Sequence, residues 1–193
     1  MLLINKSIVV LAALAALAGH ASAHIVTYVG TFSGLSEVPS NPSPGTGTAI
    51  IDVDDHTSTI RFRATFGGLI GTVSASHVHF GTGPGTNGGV ATPLPSFPLF
   101  PLGVTSGTYD QTFDMTLASS YNPAFITANG GTTATAFSAF ITRLSLGHGY
   151  WNIHSSFRPG GELRADMVAV PEPATMTALA LGGLAMLRRR KKA

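Results

Sequence analysis

Three short segments of the chain carry polar side chains two residues apart. His77 and His79 flank Val78, Asn152 and His154 flank Ile153, and Glu162 and Arg164 flank Leu163. Side chains of an extended strand alternate between its faces, so each pair shares a face. A His-x-His pair on one strand with a third histidine beside it is a workable set of imidazole ligands for a divalent metal such as zinc or copper. His77, His79 and His154 are the candidates. The same side chains admit a second chemistry. Buried polar groups need partners, and the imidazoles, Asn152, Glu162 and Arg164 could satisfy one another while fixing strand register. That polar network is the leading reading and the metal the alternative. Glu162 and Arg164 read as a same-face ion pair, or as partners for other strands, rather than as an acid–base couple. Glu37 either completes the network or is a plain loop carboxylate.

No catalytic residue is assigned. The sequence has no nucleophile elbow, no phosphate-binding loop and no paired-carboxylate motif. His56 and His148 sit beside turn residues and read as solvated. A binding or structural role is therefore expected before an enzymatic one, with a metal-dependent activity on the histidines as the alternative.

The elements that must position these residues are mostly strands. Ile25 to Phe32, Thr48 to Val53, Thr59 to Phe66, Val73 to Phe80 and Thr108 to Leu117 read as five of them. The cleanest is Thr59 to Phe66, with Ile60, Phe62, Ala64 and Phe66 on one side and Arg61, Arg63 and Thr65 on the other. It pairs with the preceding strand through the turn Asp54-Asp55-His56-Thr57. Pro93, Pro95, Pro98 and Pro101 exclude a central strand between residues 81 and 107, and Phe97, Leu99, Phe100 and Leu102 predict a loop packed on the body. Asn122-Pro123 starts a short helix to about Ala128. Phe137, Phe140, Ile141 and Leu144 predict a second helix from Thr133, ended by Gly147. Tyr150 to His154 and Glu162 to Val168 are the last two strands. The fold class expected is mainly β, an antiparallel sandwich or Greek-key barrel with one or two helices in a crossover.

The two ends of the chain have a different logic. Lys6, the apolar run Ile8 to Ala18 and Ala21-Ser22-Ala23 are the three parts of a secretory signal peptide, cut between Ala23 and His24. A terminal His24 could chelate copper through its amine and ring, but nothing else in the chain suits that use. At the other end, Pro171-Glu172-Pro173 precedes an apolar stretch to Leu187. Arg188, Arg189, Arg190 and two lysines then close the chain as a cationic stop. The stretch is marginal for a bilayer of ~30 Å, which suits transient membrane insertion better than a permanent anchor. Six of the eleven Lys and Arg residues lie in these ends. The five arginines between them face eight acids, so the central domain is mildly acidic and offers no basic patch for nucleic acid. The chain has no cysteine, so packing rather than disulfides must hold the domain.

The C-terminal arrangement of Pro-Glu-Pro, apolar helix and basic cluster resembles the PEP-CTERM sorting signal. Signal peptidase is the partner expected at residues 1–23. The resemblance implies recognition by an exosortase and removal of the helix near Pro171-Glu172-Pro173, in a Gram-negative bacterium that delivers the protein to its surface or surroundings. Between the ends, His77-Val78-His79-Phe80-Gly81, Tyr150-Trp151-Asn152-Ile153-His154, Gly160-Gly161-Glu162-Leu163-Arg164, Glu37-Val38-Pro39 and the Pro84–Gly88 segment resemble, in order, the CHRD domain named in chordin. Trp151 stands where that family often has an aliphatic residue, and Ser155 where it often has threonine. The division expected is signal peptide 1–23, CHRD-like domain 24–169 and sorting tail 170–193. The resemblance implies an extracellular β domain of binding or structural character. Adhesion, or association with extracellular polysaccharide, a surface protein or biofilm, is the role expected of it.

Overall fold

The alternation of Thr59–Gly67 (β3) buries Ile60, Phe62, Ala64 and Phe66 and turns Arg61 and Thr65 to solvent. Its partner Thr46–Asp54 (β2) buries Ala49, Ile51 and Val53 in the same way. The two form a nine-pair antiparallel ladder from Thr46↔Gly67 to Asp54↔Thr59. The turn between them is set by Asp54, whose Oδ1 accepts the N–H groups of His56 and Thr57, the local bonding that makes aspartate a turn former.

The computed structural model describes residues 25–171. The residues read as a signal peptide, the cleavage expected between Ala23 and His24 and the copper reading of His24 lie outside them. So do the tail residues Glu172, Pro173, Arg188, Arg189 and Arg190. Among the described residues, no helix is long and apolar enough to cross a membrane, and Pro171 is exposed at their end.

The remaining elements are Ile25–Ser33 (β1), Val73–Phe80 (β4), Gly89–Val90 (β5), Gly107–Asp114 (β6), Pro123–Ala128 (α1), Thr133–Ser145 (α2), Gly149–Ser155 (β7), Leu163–Asp166 (β8) and Val168–Ala169 (β9). One antiparallel sheet runs β5-β4-β7-β8-β1-β2-β3-β6, with β9 added to β1. It curls until its two halves face each other, giving the mainly β, barrel-like fold with two helices that the alternation predicts. Trp151 of β7 marks the closure. It is fully buried, and its ring lies 5.7 Å from Phe62, 5.3 Å from Phe97 and 6.0 Å from Phe32. Its indole N–H donates to Ser76 Oγ at 2.8 Å, so the bulky ring is buried without an orphaned donor.

The proline-rich stretch after β5 closes the gap between the outer strands. Phe97 N donates to Ser76 O, Ala91 N to Val78 O, and Ser76 N and Val78 N to the hydroxyls of Ser96 and Thr92. The free edge of β4 is thus covered by a loop, one of the ways sheets avoid pairing with other chains. Phe97 and Phe100 are buried as expected, while Leu99 and Leu102 are exposed.

The helices lie between β6 and β7 and bridge the sheet's outer strand back to its other half. Asn122 caps α1 through Ala124 N, with Pro123 in the first turn. Thr132 and Thr135 form a reciprocal capping box on α2, which buries Ala136, Phe140 and Leu144. β6 ends at Asp114, three residues before the sequence reading places its end. Asp114 Oδ1 accepts from both N–H and hydroxyl of Thr116 and turns the chain. The last predicted strand is divided: Glu162 precedes β8, and Met167 separates β8 from β9.

Candidate metal centre

β4, β7 and β8 have an apolar face and a polar one. Val78, Phe80, Trp151, Ile153, Leu163 and Ala165 point into the core. On the other face the register sets His77 beside Asn152, His79 beside Tyr150, and Asn152 beside Arg164. Loops roof this face, so His77, His79, Asn152 and Arg164 are each over nine-tenths buried although none belongs to the hydrophobic core.

The three histidines meet there. Their ring centroids form a near-regular triangle of 5.7, 5.2 and 5.7 Å. One nitrogen from each lies within 4.8 Å of the others. The opposite nitrogens are fixed by three separate loop carbonyls: His77 Nε2 by Pro95 O at 2.8 Å, His79 Nδ1 by Gly88 O at 3.0 Å, and His154 Nδ1 by Pro159 O at 2.8 Å. A carbonyl only accepts, so each of those nitrogens carries the proton and the other nitrogen carries a lone pair. The lone-pair nitrogens, His77 Nδ1, His79 Nε2 and His154 Nε2, are buried and have no hydrogen-bond partner. An imidazole held at its outer N–H by a carbonyl, with its inner nitrogen free, is the arrangement of a metal-ligating histidine.

The electrostatics favour neutral rings. Burial first, and the nearby His154 for both, push the pKa values of His77 and His79 down to about 4. Burial lowers His154 as well. Protonating any one ring would leave a buried N–H without an acceptor. Tyr150 stacks on His79 at 5.0 Å, and the Arg164 guanidinium lies 3.6 Å above the Tyr150 ring. This stack fixes the orientation of His79 beyond its single hydrogen bond.

The polar network expected from the sequence is not one network. Among the described residues, no imidazole bonds to Asn152, Glu162 or Arg164. Glu162 and Arg164 do not pair either. Arg164 binds Asp166 Oδ1 at 2.7 Å and Asn87 Oδ1 at 3.1 Å. Glu162 turns the other way and accepts from Ser43 Oγ at 2.6 Å, Ile70 N at 2.6 Å, Gly71 N at 3.2 Å and Ser155 Oγ. Burial alone would raise its pKa, but these four donors together hold it below the usual carboxylate range. The physical reason for the division is position. Glu162 lies before β8 begins, so strand alternation does not bind it to the face of Arg164.

Glu37 is buried and accepts from Asn152 Nδ2 at 3.2 Å through Oε2. Its Oε1 and Asn152 Oδ1 have no partner. Both lie against Gly161, where a Cβ would sit 2.6 and 2.5 Å from them at φ +136°, so only glycine fits. Burial raises the Glu37 pKa to about 7, against the smaller opposing effects of Asn152 and Arg164. A proton on Glu37 supplies a donor next to Asn152 Oδ1, which would complete an acid–amide pair.

Residues outside the sequence reading also build the site. Tyr150 and Asp166 extend the same two-residue spacing from Asn152 and Arg164, so continuing that count along each strand finds them. The carbonyls of Gly88, Pro95 and Pro159 carry no side-chain signal at all.

The CHRD domain family model matches residues 28–167, and the PEP-CTERM protein-sorting motif matches residues 169–191. No curated protein and no solved structure matches the chain.

Proposed function

The chain belongs to the CHRD family and carries the signal of an exosortase-processed extracellular protein, and from this premise we propose that its domain binds one divalent transition-metal ion on His77, His79 and His154. One observation carries the reading: three imidazoles converge so that one nitrogen from each lies within 4.8 Å of the others, and in each ring one buried nitrogen has no partner while the opposite one is held by a carbonyl. An all-imidazole set suits zinc and copper, whereas calcium and magnesium require oxygen ligands. At metal–nitrogen lengths of about 2.0–2.1 Å, tetrahedral ligands stand roughly 3.4 Å apart, so small ring rotations bring the nitrogens to one centre. Their neutral state at pH 7 means that the ion displaces no bound proton.

The expected role is binding at the cell surface or in the surrounding matrix, with the ion fastening three loops to the sheet. Titrating metal-stripped protein with zinc or copper(II) is expected to show one ion per chain, binding at micromolar concentration or tighter, and a melting temperature that rises with occupancy. His154→Ala is expected to abolish both. Equal binding by His154→Ala, or a melting temperature insensitive to either metal, would refute the assignment.

A further inference from the structure

The outer face of β1, β2, β3 and β6 carries none of the three histidines and touches the site above only at its edge, through Asp166. Its register brings Thr31 opposite Thr48, Thr48 opposite Thr65, and Thr65 opposite Thr108. Four threonines therefore form one straight row across four strands, and all four are exposed. At 4.7–4.9 Å between strands, the row is roughly 14 Å long. Thr48 and Thr65 already share a hydroxyl–hydroxyl bond of 2.8 Å. Two depressions of 440 and 370 Å³ follow the row and meet at Thr48 and Ile50. Val29 and Val168 provide apolar surface at one end, and Asp110 closes the other.

The charges beside this trough are all neutralised within the protein. Arg63 pairs with Asp52 at 2.6 Å, Arg61 with Asp110 at 2.6 Å, and Arg164 with Asp166 at 2.7 Å. Among the described residues lining it, no spare cation is offered to a polyanion and no spare carboxylate to a basic partner. What remains is a line of hydroxyl groups, each beside its own methyl, next to Val29 and Ile50.

We propose that this trough binds a neutral, hydroxyl-rich glycan strand lying across β1, β2, β3 and β6. The threonine hydroxyls both donate to and accept from sugar hydroxyls, and the methyl groups with Ile50 and Val29 receive the C–H faces of the rings. Charge complementarity selects the occupant, since a surface whose ions are already paired suits an uncharged polymer.

The test is titration of the exported protein with neutral hexasaccharides (cellohexaose, laminarihexaose and mannohexaose) and with an anionic oligomannuronate. It is compared with Thr48→Val/Thr65→Val, which keeps β-branched side chains in both strands. At least one neutral hexasaccharide is expected to bind and the oligomannuronate is not. The double variant should melt as the parent does and bind about tenfold or more weakly, having lost two central hydroxyls. Failure of all three neutral sugars, unchanged binding by the variant, or preference for the oligomannuronate would overturn the proposal. So would concentration-dependent dimerisation that the variant abolishes, which would give the face to a second copy of the chain.

Discussion

Glu162→Ala is expected to remove most of the domain's stability. Glu162 is fully buried, and its carboxylate is the shared acceptor for two loop N–H groups and two hydroxyls that come from three separate parts of the chain. Alanine would strand three buried donors, Ser43 Oγ, Gly71 N and Ser155 Oγ, and the part-buried Ile70 N. At roughly 1–3 kcal/mol for each unsatisfied group, with partial relaxation, the loss is about 4 kcal/mol or more. For a domain of this size that lowers the melting temperature by about 10–20 °C, and poor recovery of folded protein is the more severe form of the same outcome. Glu162→Gln keeps the shape and one acceptor oxygen but turns an NH2 group toward donors, so it should fall between parent and alanine. Thermal melts of the three proteins at neutral pH decide the matter. A melting temperature for the alanine variant within a few degrees of the parent would show that the carboxylate is dispensable.

The second large effect is on pH dependence and belongs to Glu37. Its pKa stands at about 7 in the folded domain, against about 4.3 for an unfolded glutamate. Between those values the folded state holds a proton that the unfolded state has released. Stability from this group is therefore complete below about pH 4.3 and is lost as pH rises through 7. The difference is worth about 4 kcal/mol. Glu37→Gln places a permanent donor where the proton would sit, so it should keep the Asn152 pair at every pH. The buried histidines, whose pKa values are lowered, raise the stability of both proteins alike as pH rises to about 6.5, so the difference isolates Glu37. Urea unfolding from pH 5 to 8.5 is expected to show the parent losing stability relative to the variant as pH rises toward 7, with no further change above it. Parallel curves for the two proteins would remove Glu37 as the source.

The sequence makes the strand content and the same-face pairs legible because both depend only on local alternation. His77 with His79, and Asn152 with His154, can be read without knowing what lies beside them. Asn122-Pro123 likewise identifies the start of α1, because a cap and a first-turn proline are local chemistry. Contacts across the chain are not legible in that way. Glu162 finds Ile70 and Ser43, each about a hundred positions away, through a closure of the sheet that no spacing announces. The free nitrogens of the histidines are the clearest case. Their availability depends on the carbonyls of Gly88, Pro95 and Pro159 having claimed the other side of each ring, and a backbone carbonyl looks the same at every position. The threonine row similarly exists only once four strands have been set in register.

The most direct measurement is elemental analysis of the domain, residues 24–169, produced in the periplasm, beside His77→Ala/His79→Ala prepared in the same way. The account predicts about one zinc or copper per chain in the parent and none above background in the variant, with the variant still folded by circular dichroism. A folded parent that carries no metal, and takes up none from a buffered excess of zinc or copper, would contradict it.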